Sequence, residues 1–185
     1  MNVLTCNTIA TEYILTIIPN EPVLGNLQIL KKEIGKYIIE EKDLPPHIKI
    51  FPKFKWCEKE EYLLVHELKG LIPQINCFEV DILQINKNKE LNQLFLQTNC
   101  KVDFKDLTQI VLNQLAKLVK NNEADIDELD GRIIMAEENF DPENFALVTK
   151  RLSKKIYSGI FVADKISLFK NLGNGWELAA EFHLN

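Results

Sequence analysis

Residues 46–56 read PHIKIFPKFKW, and this stretch decides how the rest of the chain is interpreted. In an extended strand, alternate side chains point to the same face. Four apolar side chains then share one face, and the opposite face carries His47, Lys49, Lys53 and Lys55. The stretch therefore predicts a half-buried strand with a basic face that contains one imidazole.

An imidazole beside lysines suits the binding of a phosphate group. Histidine titrates near neutral pH and can donate or accept a proton, and lysines neutralise phosphate as point charges. The same alternation is also typical of an ordinary strand with one solvated face. Taken alone, the pattern favours the ordinary strand, so the functional interpretation depends on the rest of the chain.

Strands and helices are mixed along the chain without a regular alternation. Strands are predicted near residues 13–18, 45–51, 75–85, 91–98 and 145–152, and in a closing hairpin over residues 166–184. Apolar residues at helical spacing predict helices over residues 24–38, 60–72 and 104–120. This order does not fit a parallel Rossmann sheet. It favours an α+β protein with helices packed on antiparallel sheet.

Composition and charge narrow the class of protein. With 46% hydrophobic and 26% charged residues, the 185-residue chain is predicted to fold as one domain over residues 1–185. The net charge of −5 argues against broad, non-specific nucleic-acid binding. No apolar run reaches the roughly 18 residues of a membrane helix, so we expect no membrane partner. Four scattered cysteines without a Cys-x-x-Cys pair favour a cytoplasmic protein.

The chain resembles the two-histidine phosphoesterase superfamily, which contains the 2′-5′ RNA ligases and the cyclic nucleotide phosphodiesterases. A strand at residues 12–19, an amphipathic helix and the stretch at 46–51 are similar to the first half of that family. The closing hairpin at residues 161–184 is similar to its end. The resemblance implies two pseudo-symmetric lobes of antiparallel sheet, with helices packed on the outer faces and a central cleft.

In this family two histidines act as general base and general acid on a phosphodiester, one from a His-x-Thr or His-x-Ser strand of each lobe. The first motif here is His47-Ile48-Lys49, which keeps the histidine and places lysine at the hydroxyl position. The resemblance implies a catalytic role for His47 and a phosphate-binding role for Lys49. It implies neither a metal nor an organic cofactor.

The second motif is expected within residues 144–152, which read NFALVTKRL. There Phe145 takes the position of the histidine and Leu147 that of the hydroxyl residue. Lys150 and Arg151 match the basic residues that follow the motif, which implies contacts with phosphate. Loss of one proton-transfer group costs on the order of 10²–10⁴ in rate. The second half of the active site is therefore expected to be degenerate.

Two functions remain open on these residues. In the first, the protein is a hydrolase of low activity that binds a cyclic phosphate or an RNA-end phosphodiester and hydrolyses it weakly. In the second, it is a pseudoenzyme whose cleft binds a nucleotide, another small ligand or a protein partner. His66 and His183 lie outside the motifs and are interpreted as surface residues.

The stretch over residues 121–143 carries nine acidic side chains and one basic side chain, Arg132. It is predicted to be a solvated acidic connection between the lobes. Residues 125–131 hint at a calcium loop, but the glycine comes at the seventh position instead of the sixth. The spacing therefore disfavours a calcium site.

Overall fold

The computed structural model describes residues 10–37, 44–88, 90, 93–100, 104–115, 118–119, 129–136, 142–152 and 157–185. The strands are β1 (Ala10–Ile17), β2 (His47–Cys57), β3 (Phe78–Asn88), β4 (Gln93–Cys100), β5 (Ile133–Ala136), β6 (Gly159–Ala163), β7 (Lys165–Asn171) and β8 (Trp176–His183). The α-helices are α1 (Val23–Gly35), α2 (Glu61–Leu71), α3 (Phe104–Leu115) and α4 (Pro142–Leu152). None of these helices is long and apolar enough to cross a membrane.

The described strands form one curled, antiparallel sheet in the order β6-β3-β4-β5-β2-β1-β7-β8. Strands β2 and β5 meet at its centre. One half of the sheet is β8-β7-β1-β2, and the other half is β6-β3-β4-β5. The predicted α+β class, with two similar halves of antiparallel sheet and helices packed on it, is confirmed.

A row of four side chains crosses the middle of this sheet. Ile48 of β2 pairs with Ile17 of β1 on one side and with Ile133 of β5 on the other, and Ile133 also pairs with Leu96 of β4. All four side chains are fully buried in the hydrophobic core. Branched aliphatic side chains pack well on a pleated surface. The row joins the two halves and fixes their register.

The helices cover one face of the sheet. Helix α1 buries Leu27, Leu30 and Ile34, which recur every three or four residues and so lie along one stripe. All four helices contribute to the same core cluster as the central row. Burying one leucine or isoleucine in this way contributes about 1.5–3 kcal/mol to stability. The helices therefore pack against the face to which Ile48 and Ile133 point.

The strand predicted at residues 145–152 is wrong, because this segment belongs to helix α4. Its buried residues Phe145, Val148 and Leu152 are spaced by three and four, which is the period of a helix. Pro142 suits the first turn because its missing N–H would have no partner there. The run from 145 to 148 contains three large apolar residues, and so short a run does not distinguish a helix from a strand.

The acidic connection predicted over residues 121–143 is interrupted by strand β5. This strand has only four residues, all buried, and lies between β2 and β4. A fully buried strand reads as a short continuous apolar run, and here that run is hidden among acidic neighbours. Residues 120–128 and 137–141, with most of the calcium-like segment, lie outside the described residues.

Candidate functional site

His47 begins β2 on the face of the sheet opposite to the helices. It pairs directly with Ile134 of β5, a buried residue that does not belong to the helix-side core. His47 itself is only 3% exposed. Its Nδ1 lies 2.8 Å from the carbonyl oxygen of Pro45. Because a carbonyl only accepts, Nδ1 carries the proton in this contact, and Nε2 is the basic nitrogen of the neutral ring.

Lys49 lies on the same face, two residues further along β2. It is half-buried and pairs with Thr16 of β1. Thr16 pairs in turn with Ser167 of β7, and its hydroxyl donates to the Ser167 carbonyl oxygen at 3.4 Å. Both of these hydroxyl residues are fully buried. The sequence did not reveal them as neighbours of Lys49, because the three residues come from strands far apart in the chain.

The central pairing relates β2 to β5 by a local two-fold rotation. Ile48 and Ile133 are equivalent, since each pairs with the other and with one strand further out. An axis through this pair, perpendicular to the sheet, exchanges the two strands and preserves the face of each side chain. It brings His47, which precedes Ile48, onto Arg132, which precedes Ile133. Arg132 therefore has in the second half the position that His47 has in the first.

The guanidinium of Arg132 is held by three residues. Its Nε and Nη2 donate to the carboxylate of Asp130 at 2.7 and 2.5 Å. Its Nη1 donates to Oε1 of Gln93 at 3.1 Å. The guanidinium carbon lies 4.3 Å from the centroid of the Phe95 ring, and Phe95 pairs with Ile134, the partner of His47. These contacts fix the orientation of the cation, whose side chain is 17% exposed.

The two residues assigned to the second motif do not lie with His47. Phe145 is 7% exposed and belongs to the helix-side core, whereas Leu147 is 55% exposed on the outer side of α4. Because residues 142–152 are helical, the strand alternation on which that motif depended does not exist there. The strand that lies beside β2 is β5.

Lys150 and Arg151 also lie away from His47, near the end of α4, and both are exposed. Arg151 donates from Nη1 to the hydroxyl of Tyr37, just after α1, at 2.9 Å. Helix α4 packs on the helix side of the sheet, so these two basic residues and His47 are on opposite sides. Of the four residues predicted to contact substrate or catalyse, the structure brings together His47 and Lys49.

The other two histidines of the chain are remote from His47. His183 lies at the end of β8, on the same face as His47, because its neighbour Phe182 points into the core. Three strand spacings of about 4.8 Å separate β8 from β2, which gives about 14 Å. His66 is exposed on α2. Neither imidazole can share a small phosphate group with His47.

The sequence matches no family model and no curated protein, but solved structures match nearly the whole chain. Escherichia coli LigT complexed with 3′-AMP superposes with a TM-score of 0.66 at 8% identity, over 96% of this chain and 99% of LigT. TT0787 of Thermus thermophilus superposes with a TM-score of 0.65 at 10% sequence identity, over 93% of this chain and 97% of TT0787. A crystal structure described as a phosphoesterase superposes with a TM-score of 0.58 at 10% sequence identity, over 95% of this chain and 99% of the phosphoesterase. The resemblance to two-histidine phosphoesterases is therefore confirmed at the level of the fold.

Proposed function

We propose that the protein binds a phosphate group of a nucleotide or an RNA end in the cleft beside His47, with phosphodiester hydrolysis as a weak activity at most. One observation carries the proposal. His47 and Lys49 lie together at the centre of a LigT-like sheet, on the face opposite to the helices. The Lys49 ammonium group supplies a positive charge and N–H donors for a phosphate, and the imidazole donates from Nε2 once that nitrogen has taken up a proton.

The expected weakness of catalysis follows from the number of imidazoles. A pair of proton-transfer groups serves the attacking and the leaving oxygen, and a single histidine serves one of them. The chain has three histidines, and two of them are remote from His47. We therefore expect turnover about 10²–10⁴ below that of a site with two imidazoles. Binding without turnover is the limiting case of the same proposal.

The proposed ligand class comes from the fold neighbours. LigT has been crystallised with 3′-AMP, with ATP and with phosphate. We extend this class of ligand to the present chain because His47 and Lys49 offer the chemistry that a phosphate needs. A reducing, cytoplasmic location belongs to the proposal, since Cys77 and Cys100 form no disulfide.

The test measures binding and hydrolysis on the same protein samples. Calorimetric titration with 3′-AMP and with 2′,3′-cyclic AMP gives the affinities, and chromatography of 2′,3′-cyclic AMP incubations gives the turnover. The variant His47→Ala is compared with His183→Ala, which removes an imidazole from the same face about 14 Å away.

We expect His47→Ala to weaken nucleotide binding at least tenfold and to abolish any hydrolysis, and His183→Ala to match the unaltered protein. The proposal is wrong if the unaltered protein binds neither nucleotide. It is also wrong if the two histidine variants bind and hydrolyse equally well.

A further inference from the structure

We propose that Arg132 is the phosphate-binding residue of the second half of this cleft. The ligand phosphate would lie between a guanidinium and an imidazole, instead of between two groups that transfer protons. This inference rests on the proposed function and specifies the charge of the preferred ligand. The site should bind a terminal phosphate monoester more tightly than a cyclic phosphodiester.

The position of Arg132 is the first argument. The register of β2 and β5 pairs His47 with Ile134 and Ile48 with Ile133. Arg132 directly precedes β5, and extending this register by one residue would set it opposite Lys49. The Cα atoms of His47 and Arg132 are then diagonal neighbours across an antiparallel pair, at about 7–8 Å. At this separation one ligand can reach both side chains, although the guanidinium now lies over Phe95 of β4.

The hydrogen-bonding capacity of the guanidinium is the second argument. A guanidinium has five N–H groups. Among the described residues, Asp130 accepts two of them and Gln93 accepts one. One N–H on Nη1 and one on Nη2 remain beyond these contacts, and guanidinium N–H groups are donors that phosphate oxygens accept. The Phe95 ring supports the plane of the guanidinium from below.

The charge balance is the third argument. Arginine is positively charged at every pH that a protein tolerates, so Arg132 can bind an anion but cannot act as a general acid. Asp130 neutralises part of this charge, and the nearby Lys49 adds another positive charge. A phosphate monoester carries a charge of about −1.5 to −2 at pH 7, whereas a diester carries a single charge. The monoester gains more from the two cations.

The test compares the only two arginines of the chain, Arg132 and Arg151. Calorimetry with 3′-AMP and with 2′,3′-cyclic AMP is run on the unaltered protein and on three variants, Arg132→Gln, Arg132→Lys and Arg151→Gln. Arg151→Gln is the control, because it removes the same charge as Arg132→Gln but lies on the helix side of the sheet. We expect the unaltered protein to prefer 3′-AMP. Arg132→Gln should bind it at least tenfold more weakly, Arg132→Lys at an intermediate level, and Arg151→Gln within twofold of the unaltered protein.

Arg132→Gln also breaks the contacts with Asp130, which could change the binding indirectly. A second measurement therefore uses protein in which Arg132 is unaltered. Protein labelled with ¹⁵N-arginine gives two Nε–H signals, which Arg151→Lys assigns. We expect added 3′-AMP to shift the signal of Arg132 and to leave that of Arg151 in place.

The outcomes separate this inference from the proposed function. If the unaltered protein binds 3′-AMP and His47→Ala weakens the binding, but the Arg132 signal does not move, the inference is wrong and the proposed function stands. A preference for the cyclic phosphate also overturns the inference. If the unaltered protein binds neither nucleotide, both are wrong.

Discussion

At the scale of single residues, His47 and Lys49 of β2 have different tasks. The contact of His47 Nδ1 with the Pro45 carbonyl fixes the tautomer, so Nε2 is the basic nitrogen of the neutral ring. Lys49 cannot replace the hydroxyl of a His-x-Thr motif as a neutral donor, because its ammonium group brings a full charge. The motif His47-Ile48-Lys49 is therefore better suited to attracting phosphate than to orienting it for cleavage.

This difference predicts the effect of Lys49→Ala. Removing the ammonium group should weaken the binding of 3′-AMP about tenfold, which is about 1.4 kcal/mol, and the loss should shrink as salt screens the charge. Lys55→Ala is the matched control, since Lys55 is exposed near the other end of β2, opposite Glu12. Calorimetry at about 0.05 and 0.3 M NaCl, on either side of physiological ionic strength, measures both variants. Equal losses for the two lysines would show that only the net charge matters.

At the scale of elements, the sequence predicts the helices and strands that are long enough to show a hydrophobic period. Helix α1 and strand β2 are predicted correctly because thirteen and eleven residues are enough to show a period. Strand β5 has four residues and shows none. Because a strand was predicted in place of helix α4, the second motif was expected in residues that do not lie beside β2. Arg132 stands out in the sequence only as the lone base of an acidic stretch, because only the pairing of β5 with β2 relates it to His47.

A contact between elements predicts how stability depends on pH. Tyr13 of β1 is fully buried, and its hydroxyl donates to Glu61 of α2 at 2.9 Å. Burial and then this carboxylate raise the pKa of Tyr13 well above its ordinary value near 10. Lys170 of β7 contacts Glu58 and Glu61 at 3.3 and 3.2 Å. Burial lowers the pKa of Lys170, but the two carboxylates outweigh it, so the net shift is upward.

Both folded-state pKa values are raised, so the folded protein holds protons that the unfolded chain releases above about pH 10. The free energy of unfolding should therefore fall as the pH rises above about 10. Tyr13→Phe should be less stable at about pH 8 but should lose less stability between about pH 8 and 11. Urea denaturation at several pH values measures this slope. Equal slopes for the variant and the unaltered protein would contradict the role of Tyr13.

At the scale of the whole molecule, the sheet has two similar halves with different chemistry. The rotation that brings His47 onto Arg132 also brings Lys49 onto Ile134. One half thus presents an imidazole and an ammonium group, and the other presents a guanidinium and a buried isoleucine. The fold class was predictable from the order of elements. The asymmetry between the two halves was not, since it depends on which residues the central register places side by side.

This asymmetry predicts the effect of restoring the second imidazole with Arg132→His. The variant should bind 3′-AMP more weakly, because it loses a permanent charge, and should hydrolyse 2′,3′-cyclic AMP faster, because a second proton-transfer group becomes available. Since the hydroxyl positions stay altered, we expect a gain near the lower end of the roughly 10²–10⁴ that general acid–base catalysis supplies. Arg151→His is the control, since it adds an imidazole on the other side of the sheet. A gain that His47→Ala does not abolish, or an equal gain in the control, would mean that the two halves do not share one phosphate.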